Sequence, residues 1–377
     1  MSKFSDKNLK IGKPLPYDLI LKRGGISFRK GTTITPEILK IIKSGTVLQI
    51  SLDAPVTKKT RRKSKRVEPD TPGGKRLKKA FLVNRAKTAV NARTYVSDDS
   101  LKVFLDDISL CWKDQSRFID ISSFITIAEK WVDSINGNSS IPASIGWHQT
   151  SDNFIPAHMV DVARFVSCLG LHLGFDKESL VNLVLAGLLH DIGEMFIDSN
   201  LLSRRGKLNN SEIKRVREHP GKSVEWLKRA GLQNENVHKL ILRHHERFDG
   251  SGYPYNITGK VLGMDDCLLA VADVYCALIS RRPYRDALTR RDALRTIIKS
   301  KGKSFSQNMA GHLVSFLGLY PPGSIVELKS GTLALIITPP DKSSWDALLI
   351  DLESQGIPDE KIDLNNLDGD YIVREII

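Results

Sequence analysis

The chain has 377 residues, 41% hydrophobic and 26% charged, which is typical of soluble globular proteins with about two or three domains. No uninterrupted apolar run reaches about 18 residues, so we expect no transmembrane helix. The N-terminal residues lack the apolar core of a secretory signal. The cysteines form no CxxC pair, which favours unpaired thiols in a reducing cytoplasm. They are Cys111, Cys168, Cys267 and Cys276.

The net charge of +13 is concentrated in one segment. Residues 58–79 hold eleven lysines and arginines against two acids, which leaves +4 for the rest of the chain. This segment offers little apolar surface to bury, so it is predicted to be a flexible basic linker. The alternative is a tether to an anionic surface, either lipid or nucleic acid. It contains no aromatic residue, which argues against stacking on single-stranded bases.

The segments around this linker differ in character. Residues 1–57 mix short apolar runs with turn signals, and Gly24-Gly25 between two strand-like runs predicts a hairpin. Thr35-Pro36 predicts the start of a short helix. We therefore expect a small α/β or β-rich N-terminal module without a catalytic cluster. Residues 80–140 show helical periodicity until the turn signals near Asn136.

The remainder divides into a long helical region and a short β-rich one. Residues 141–320 repeat apolar positions at helical spacing almost throughout, and Gly174 can end one of these helices. Residues 321–377 return to strand alternation with Gly and Pro turns, which predicts a β-rich C-terminal extension. The predicted fold is therefore mainly α.

The helical region contains a set of imidazole and carboxylate groups that suit a metal centre. Such groups are common ligands of zinc, iron and manganese. Their number exceeds what one tetrahedral ion needs and suits two metals that share a carboxylate, an arrangement that hydrolyses phosphoesters. The seven residues are His158, His190, Asp191, His219, His244, His245 and Asp273.

Plainer interpretations exist for single histidines. An isolated histidine on a helix is usually a core or surface residue, and we assign His148, His172, His238 and His312 to that class. Asp191 is different, because a buried aspartate on an apolar helix is costly without a partner, and a cation is the simplest one. His244 and His245 cannot both face one direction from a regular helix. Either two metals or a helix end that redirects one ring would use both.

The motifs around these residues resemble a known family. His190-Asp191, followed by HHERFDGSGYP with DGSGYP at 249–254, closely resembles the HD-GYP group of HD metal-dependent phosphohydrolases, and RRPYR at 281–285 resembles its later pattern. The resemblance covers about residues 150–320. It implies an all-helical domain that binds two or three metals, commonly iron or manganese, and hydrolyses cyclic di-GMP to pGpG or GMP.

The resemblance also implies roles for individual residues. One metal would take His158, His190, Asp191 and Asp273, and a second would take Asp191, His219, His244 and His245, with Asp191 as the bridge. Members with a third metal have a glutamate where this chain has Phe154, so two divalent transition metals are expected.

Other residues are implied to contact the substrate or a partner. Arg282 and Arg285 match basic positions that could clamp the phosphodiester, although both could also be solvated surface charges. Tyr253 is a further candidate for substrate binding. The Asp249–Pro254 loop lies beside the site in the family and is linked there to protein contacts; a purely structural turn is an equal alternative.

Two positions depart from the family pattern. Glu194 stands where a lysine is usual, which places an anion near the phosphate or the attacking water, and we group it with Asp191 as a catalytic candidate. Cys276 stands where a second aspartate is usual. A cyclic di-GMP phosphodiesterase is therefore the leading hypothesis. The rival is a weakened domain that senses the dinucleotide or docks a protein, and a weaker third is a nucleic-acid-associated regulator acting through residues 58–79.

Overall fold

The computed structural model describes residues 13, 18–21, 27–28, 34, 47–51, 98–135, 145, 154–204, 206–282, 285–339, 345–350, 361–366 and 372–376. It divides the chain into two compact units, Met1–Val67 and Glu68–Ile377. The predicted basic linker, the Gly24-Gly25 turn and the helix at Thr35-Pro36 lie outside the described residues.

The first unit contains a three-stranded antiparallel sheet. Its strands are β1 (Asp18–Leu21), β2 (Ser27–Phe28) and β3 (Val47–Ser51), and β1 lies in the middle. Leu19 pairs with Phe28 on one side and with Ile50 on the other. The antiparallel pairing of β1 with β2 agrees with the predicted hairpin.

The described part of the second unit is mainly helical. Local signals mark several helix ends: the Asp176 side chain accepts a hydrogen bond from Ser179 N, and Gly174 follows another helix with φ +78°. The helices are α1 (Asp98–Lys113), α2 (Ile121–Ser134), α3 (Phe154–His172), α4 (Lys177–Leu189), α5 (Ser199–Ser203), α6 (Asn210–Val216), α7 (His219–Arg229), α8 (Glu235–Arg243), α9 (Met264–Ile279), α10 (Arg290–Lys299) and α11 (Gln307–Leu317). A short 3₁₀ helix, Ile192–Phe196, follows α4.

One hydrophobic core runs through most of these helices. It includes Phe104 from α1 and Trp131 from α2 together with Phe165 from α3 and Leu183 from α4, all fully or almost fully buried. Within the described residues, the helices of the predicted 80–140 segment therefore share a core with the helices that follow.

Two helical stretches in the described part are long and apolar enough to cross a membrane. They are Phe154–His172 and Lys177–Phe196, and 89% and 78% of their apolar windows are buried inside the protein. Their hydrophobicity is thus accounted for by the core that they form, since a helix that is apolar on all sides is typical of a protein interior.

A five-stranded antiparallel sheet completes the second unit and confirms the predicted β-rich extension. Its strands, in the order β7-β6-β5-β4-β8, are β4 (Ile325–Leu328), β5 (Leu333–Ile336), β6 (Asp346–Ile350), β7 (Lys361–Asp363) and β8 (Ile372–Glu375). The Glu375 carboxylate accepts hydrogen bonds from Arg291 N (3.2 Å) and from Ser324 Oγ (2.6 Å), which ties β8 to the start of α10.

Candidate metal centre

The structure brings the seven predicted metal-ligand residues together. The chain supplies them from α3, from the end of α4, from the start of α7, from the end of α8 and from α9. They form two groups, and within each group the candidate ligand atoms lie within 4.8 Å of one another. The first group is His158, His190 and Asp273, and the second is Asp191, His219, His244 and His245.

Asp191 faces both groups, with one oxygen towards each. Its Oδ2 lies 3.2 Å from His190 Nε2 and 3.9 Å from His158 Nε2. Its Oδ1 lies 3.3 Å from His219 Nε2 and 3.6 Å from His244 Nε2. A carboxylate in this orientation can serve two centres at once.

Asp273 makes a second link between the groups. Its Oδ1 lies 3.1 Å from His158 Nε2, and its Oδ2 lies 3.7 Å from His245 Nδ1. Helix α8 ends at Arg243, so His244 and His245 follow the last helical turn and both rings join the second group. The helix end is therefore what lets two adjacent histidines face the same place.

Backbone carbonyls orient three of the rings. Nδ1 of His190 donates to Gly187 O (2.9 Å), Nδ1 of His219 donates to Val216 O (2.8 Å), and Nδ1 of His244 donates to Ile241 O (2.6 Å). Each acceptor lies three residues before its histidine. These hydrogen bonds leave Nε2 of each ring directed to the cluster, which is how histidine ligands are commonly held.

Ser223 and Gly193 hold two ligand-bearing segments together. The Ser223 hydroxyl donates to His190 O (2.8 Å) and accepts from Gly193 N (2.8 Å). A side chain at Gly193 would collide with the carbonyl oxygen of His219 and with the backbone of Ser223. Sequence reasoning missed both residues, because their roles depend on a contact between segments about 30 positions apart.

The charges in the cluster fit a cation. Burial opposes ionisation of Asp191, but the charge of His190 and hydrogen bonds from His219 and His244 hold its pKa well below the usual range. Burial also disfavours a charged His190, yet Asp191 raises the pKa of His190 to about 9. His158 Nδ1 is buried without a hydrogen-bond partner in the described part of the chain. A buried imidazole and carboxylate set that attracts positive charge is suitable for divalent metals.

Glu194 lies close to this cluster. Its backbone N–H donates to Asp191 O (2.9 Å). Burial and the negative charge of Asp191 raise the pKa of the Glu194 carboxyl to about 7, while Arg282 opposes this rise. The site therefore contains a carboxyl group that can exchange a proton near neutral pH.

The predicted substrate arginines have different surroundings. The Arg282 guanidinium lies 5.6 Å from the centre of the Phe154 ring, and its charge acts on both His158 and Glu194. Arg285 is exposed and donates from Nη2 to Ala277 O (2.6 Å). The Phe154 ring thus packs against Arg282, the arginine that borders the cluster.

Tyr253 and its loop border the second group. The Tyr253 ring lies 4.7 Å from the His245 ring and 6.4 Å from the His219 ring. Glu246, buried at 1% exposure, accepts hydrogen bonds from Tyr255 N (2.7 Å) and Ile257 N (3.0 Å). Glu246 thus anchors the loop after Tyr253, a role that its place in the HHE run could have suggested.

Cys276 is fully buried one helical turn beyond Asp273. Burial, together with the negative charges of Asp161 and Asp273, raises the pKa of its thiol well above the usual range. All four cysteines of the chain are free thiols. Cys276 is therefore a neutral packing group beneath the cluster.

Comparison with known proteins agrees with this geometry. Residues 137–308 match the HD domain family.

This part of the chain is similar to an HD domain.

Three relatives are similar to part of the chain. A cyclic di-GMP phosphodiesterase of Pseudomonas aeruginosa is 33% identical over 189 residues, covering 50% of this chain and 45% of the relative. The response regulator RpfG of Xanthomonas campestris pv. campestris, also named a cyclic di-GMP phosphodiesterase, is 38% identical over 157 residues, 41% of each chain. A 3′3′-cGAMP-specific phosphodiesterase of Vibrio cholerae is 35% identical over 137 residues, covering 36% of this chain and 32% of the relative. The chain thus spans less than half the length of each of these relatives.

Proposed function

We propose that this protein is a metal-dependent phosphodiesterase that hydrolyses cyclic di-GMP to pGpG or GMP. The observation that carries the proposal is Asp191, whose two oxygens face two separate groups of imidazole and carboxylate ligands. The names of the Pseudomonas and Xanthomonas relatives support cyclic di-GMP as the substrate.

The seven residues would hold two divalent transition metals, iron or manganese. His158, His190 and Asp273 would bind one ion, His219, His244 and His245 the other, and Asp191 would bridge them. Bound there, two such cations supply Lewis-acid charge to a phosphate oxygen and lower the pKa of water. The carbonyls of Gly187, Val216 and Ile241 keep the rings in the required tautomer.

The residues around the metal centre would bind the substrate and handle protons. Arg282, supported by Phe154, would orient the anionic phosphodiester, since a guanidinium matches phosphate with paired hydrogen bonds. Tyr253 would border the substrate beside His245. Glu194, whose carboxyl pKa is about 7, would exchange a proton at its carboxylate oxygens during the reaction. Arg285 would assist Arg282 from the surface.

A binding protein without turnover is the second candidate function. It is favoured by Glu194, because an ionised carboxylate beside Asp191 repels a phosphodiester and opposes the positive field that phosphoryl transfer needs. In this case the HD domain would sense the cyclic dinucleotide or dock a protein.

The deciding experiment is an anaerobic assay of the full chain with iron or manganese and cyclic di-GMP. We expect about two metal ions per chain, because the ligand set suits two centres, and release of pGpG or GMP. The double variant His190→Ala with Asp191→Ala should lose both the metals and the activity. Its control is His312→Ala with Asp106→Ala, which removes the same residue types outside the cluster. Full metal retention by the first variant would reject the ligand assignment, and metal-loaded protein that binds cyclic di-GMP without product would favour the sensor.

Contacts with other molecules are further proposals. The Asp249–Pro254 loop would meet a protein partner, since Asp249, Ser251 and Pro254 are exposed beside the site; cross-linking from a cysteine placed at Ser251 tests this contact. Residues 58–79 would meet an anionic surface through their charge. The free thiols support a cytoplasmic location.

A further inference from the structure

Arg217 occupies a fixed position next to the metal candidate residues. It caps the C-terminal end of α6, where its backbone N–H donates to Ile213 O (2.9 Å). Two residues later His219 begins α7, with Nε2 3.3 Å from Asp191 Oδ1 and Nδ1 2.8 Å from Val216 O. The residues on both sides of Arg217 are therefore hydrogen-bonded, and its backbone is held relative to the cluster.

The side chain of Arg217 is exposed and reaches over Tyr253. Its Cζ lies 5.0 Å from the centroid of the Tyr253 ring, and that ring lies 4.7 Å from the His245 ring. Two ring contacts thus connect an exposed cation to the cluster. A guanidinium that lies over an aromatic ring keeps N–H groups at its edge available for hydrogen bonds.

Arg217 has no acidic partner among the residues that the structure describes, whereas nearby carboxylates are already paired. Glu218 pairs with Lys222 (3.2 Å), and Glu212 pairs with Arg204 (2.7 Å). An unpaired guanidinium beside a phosphodiesterase site is suitable for an anion.

We propose that Arg217 binds the phosphodiester of the cyclic dinucleotide that is not being cleaved. This inference rests on the proposed function. A cyclic dinucleotide has two phosphodiesters, and when one lies at Asp191 the other keeps its full negative charge outside the cluster. Arg217 is a cation in that outer region, with a hydrogen-bonded backbone and without an acidic partner among the residues that the structure describes. It therefore selects doubly charged cyclic dinucleotides over simple phosphodiesters.

The test compares Arg217→Gln with Arg215→Gln in the metal-loaded full chain. Arg215 is an exposed residue in the last turn of the same helix, so its substitution removes the same charge without touching Tyr253. The capping box of α6, made by Asn209 and Glu212, is unchanged in both variants. Both should therefore fold, which circular dichroism checks.

The substrates are cyclic di-GMP and bis(p-nitrophenyl) phosphate, which has a single phosphodiester. We expect Arg217→Gln to lower the ratio of kcat/KM for cyclic di-GMP to kcat/KM for the simple ester about tenfold, mainly through KM, as for loss of one charged hydrogen bond. Arg215→Gln should leave this ratio unchanged. The effect of Arg217→Gln should shrink as salt increases.

Two results would overturn the inference alone: an unchanged ratio in Arg217→Gln, or equal losses in both variants. If the wild type cleaves neither compound, the enzyme proposal fails. The affinity for cyclic di-GMP, measured by calorimetry, then tests the role of Arg217. If Arg217 binds the dinucleotide, Arg217→Gln should bind it more weakly than Arg215→Gln does. If the wild type also fails to bind the dinucleotide, both proposals fail.

Discussion

Glu194 adds a titratable carboxyl group beside the metal candidate residues. Its carboxyl interacts with the charges of Asp191 and Arg282, and burial together with the charge of Asp191 raises its pKa to about 7. An ionised Glu194 adds negative charge where the proposed reaction would place a phosphodiester, while a protonated Glu194 is a hydrogen-bond donor. The family that the chain resembles usually has a lysine at this position, where this chain has Glu194.

Glu194→Lys should therefore raise the rate of cyclic di-GMP hydrolysis. A cation there attracts the phosphodiester and stabilises charge that develops in the transition state. We expect a gain of about tenfold or more, equivalent to about 1.4 kcal/mol of barrier.

The control is Glu194→Gln, which removes the charge without reversing it and should give an intermediate rate. Steady-state kinetics at constant metal content provide the measurement. If Glu194→Lys slows an active wild-type enzyme, loss of proton exchange by the Glu194 carboxyl outweighs the gain in positive charge.

At the scale of elements, the metal candidate residues depend on how closely the 3₁₀ helix approaches α7. Gly193 lies against the backbone of His219 and Ser223, where a Cβ has no room. The Ser223 hydroxyl donates a hydrogen bond to His190 O and accepts one from Gly193 N. This packing sets the distance between Asp191 and His219.

Gly193→Ala should separate these two elements. We expect a loss of about 1–3 kcal/mol in the free energy of unfolding, which is typical of overpacking a close contact, together with a reduced metal content.

The matched control is Gly221→Ala within α7, where an added Cβ meets no atom within 4 Å. This change should stabilise the protein by about 0.5–1 kcal/mol, because alanine favours helix. Urea unfolding and metal analysis of both variants provide the measurements. Normal metal content in Gly193→Ala would show that the elements can shift without moving His219.

At the scale of the whole molecule, charge and hydrophobic core belong to different parts of the sequence. Most of the described helices of the second unit share one apolar core. Residues 58–79 instead carry a net charge of +9 with few apolar side chains. Such a composition cannot contribute much buried area to a core.

Deleting residues 58–79 should leave the melting temperature and metal content of the helical domain unchanged. The same deletion should abolish binding to anionic liposomes or DNA, and binding by the intact chain should weaken steeply with salt. Calorimetry and sedimentation measure the two effects. A lower melting temperature after the deletion would mean that the segment packs against the domain.

The sequence by itself determined the features that depend on local chemistry. Apolar residues at helical spacing predicted the helical region, and strand alternation after residue 320 predicted the C-terminal sheet, because each pattern follows the geometry of a single element. The end of α3 before Gly174 follows from a conformation that glycine readily adopts. Residue type and motif also predicted the seven metal candidate residues.

Tertiary structure decided how those residues are arranged. His158 and Asp273 are 115 positions apart, and no local pattern predicts that their side chains lie 3.1 Å from each other. Other contacts likewise join distant segments. The two Asp191 oxygens face two groups of residues, the Ser223 hydroxyl donates to His190 O, and Arg217 lies over the Tyr253 ring. Such contacts depend on how the whole core packs. The spacing of residues along one helix or strand determines only which of them share a face of that element.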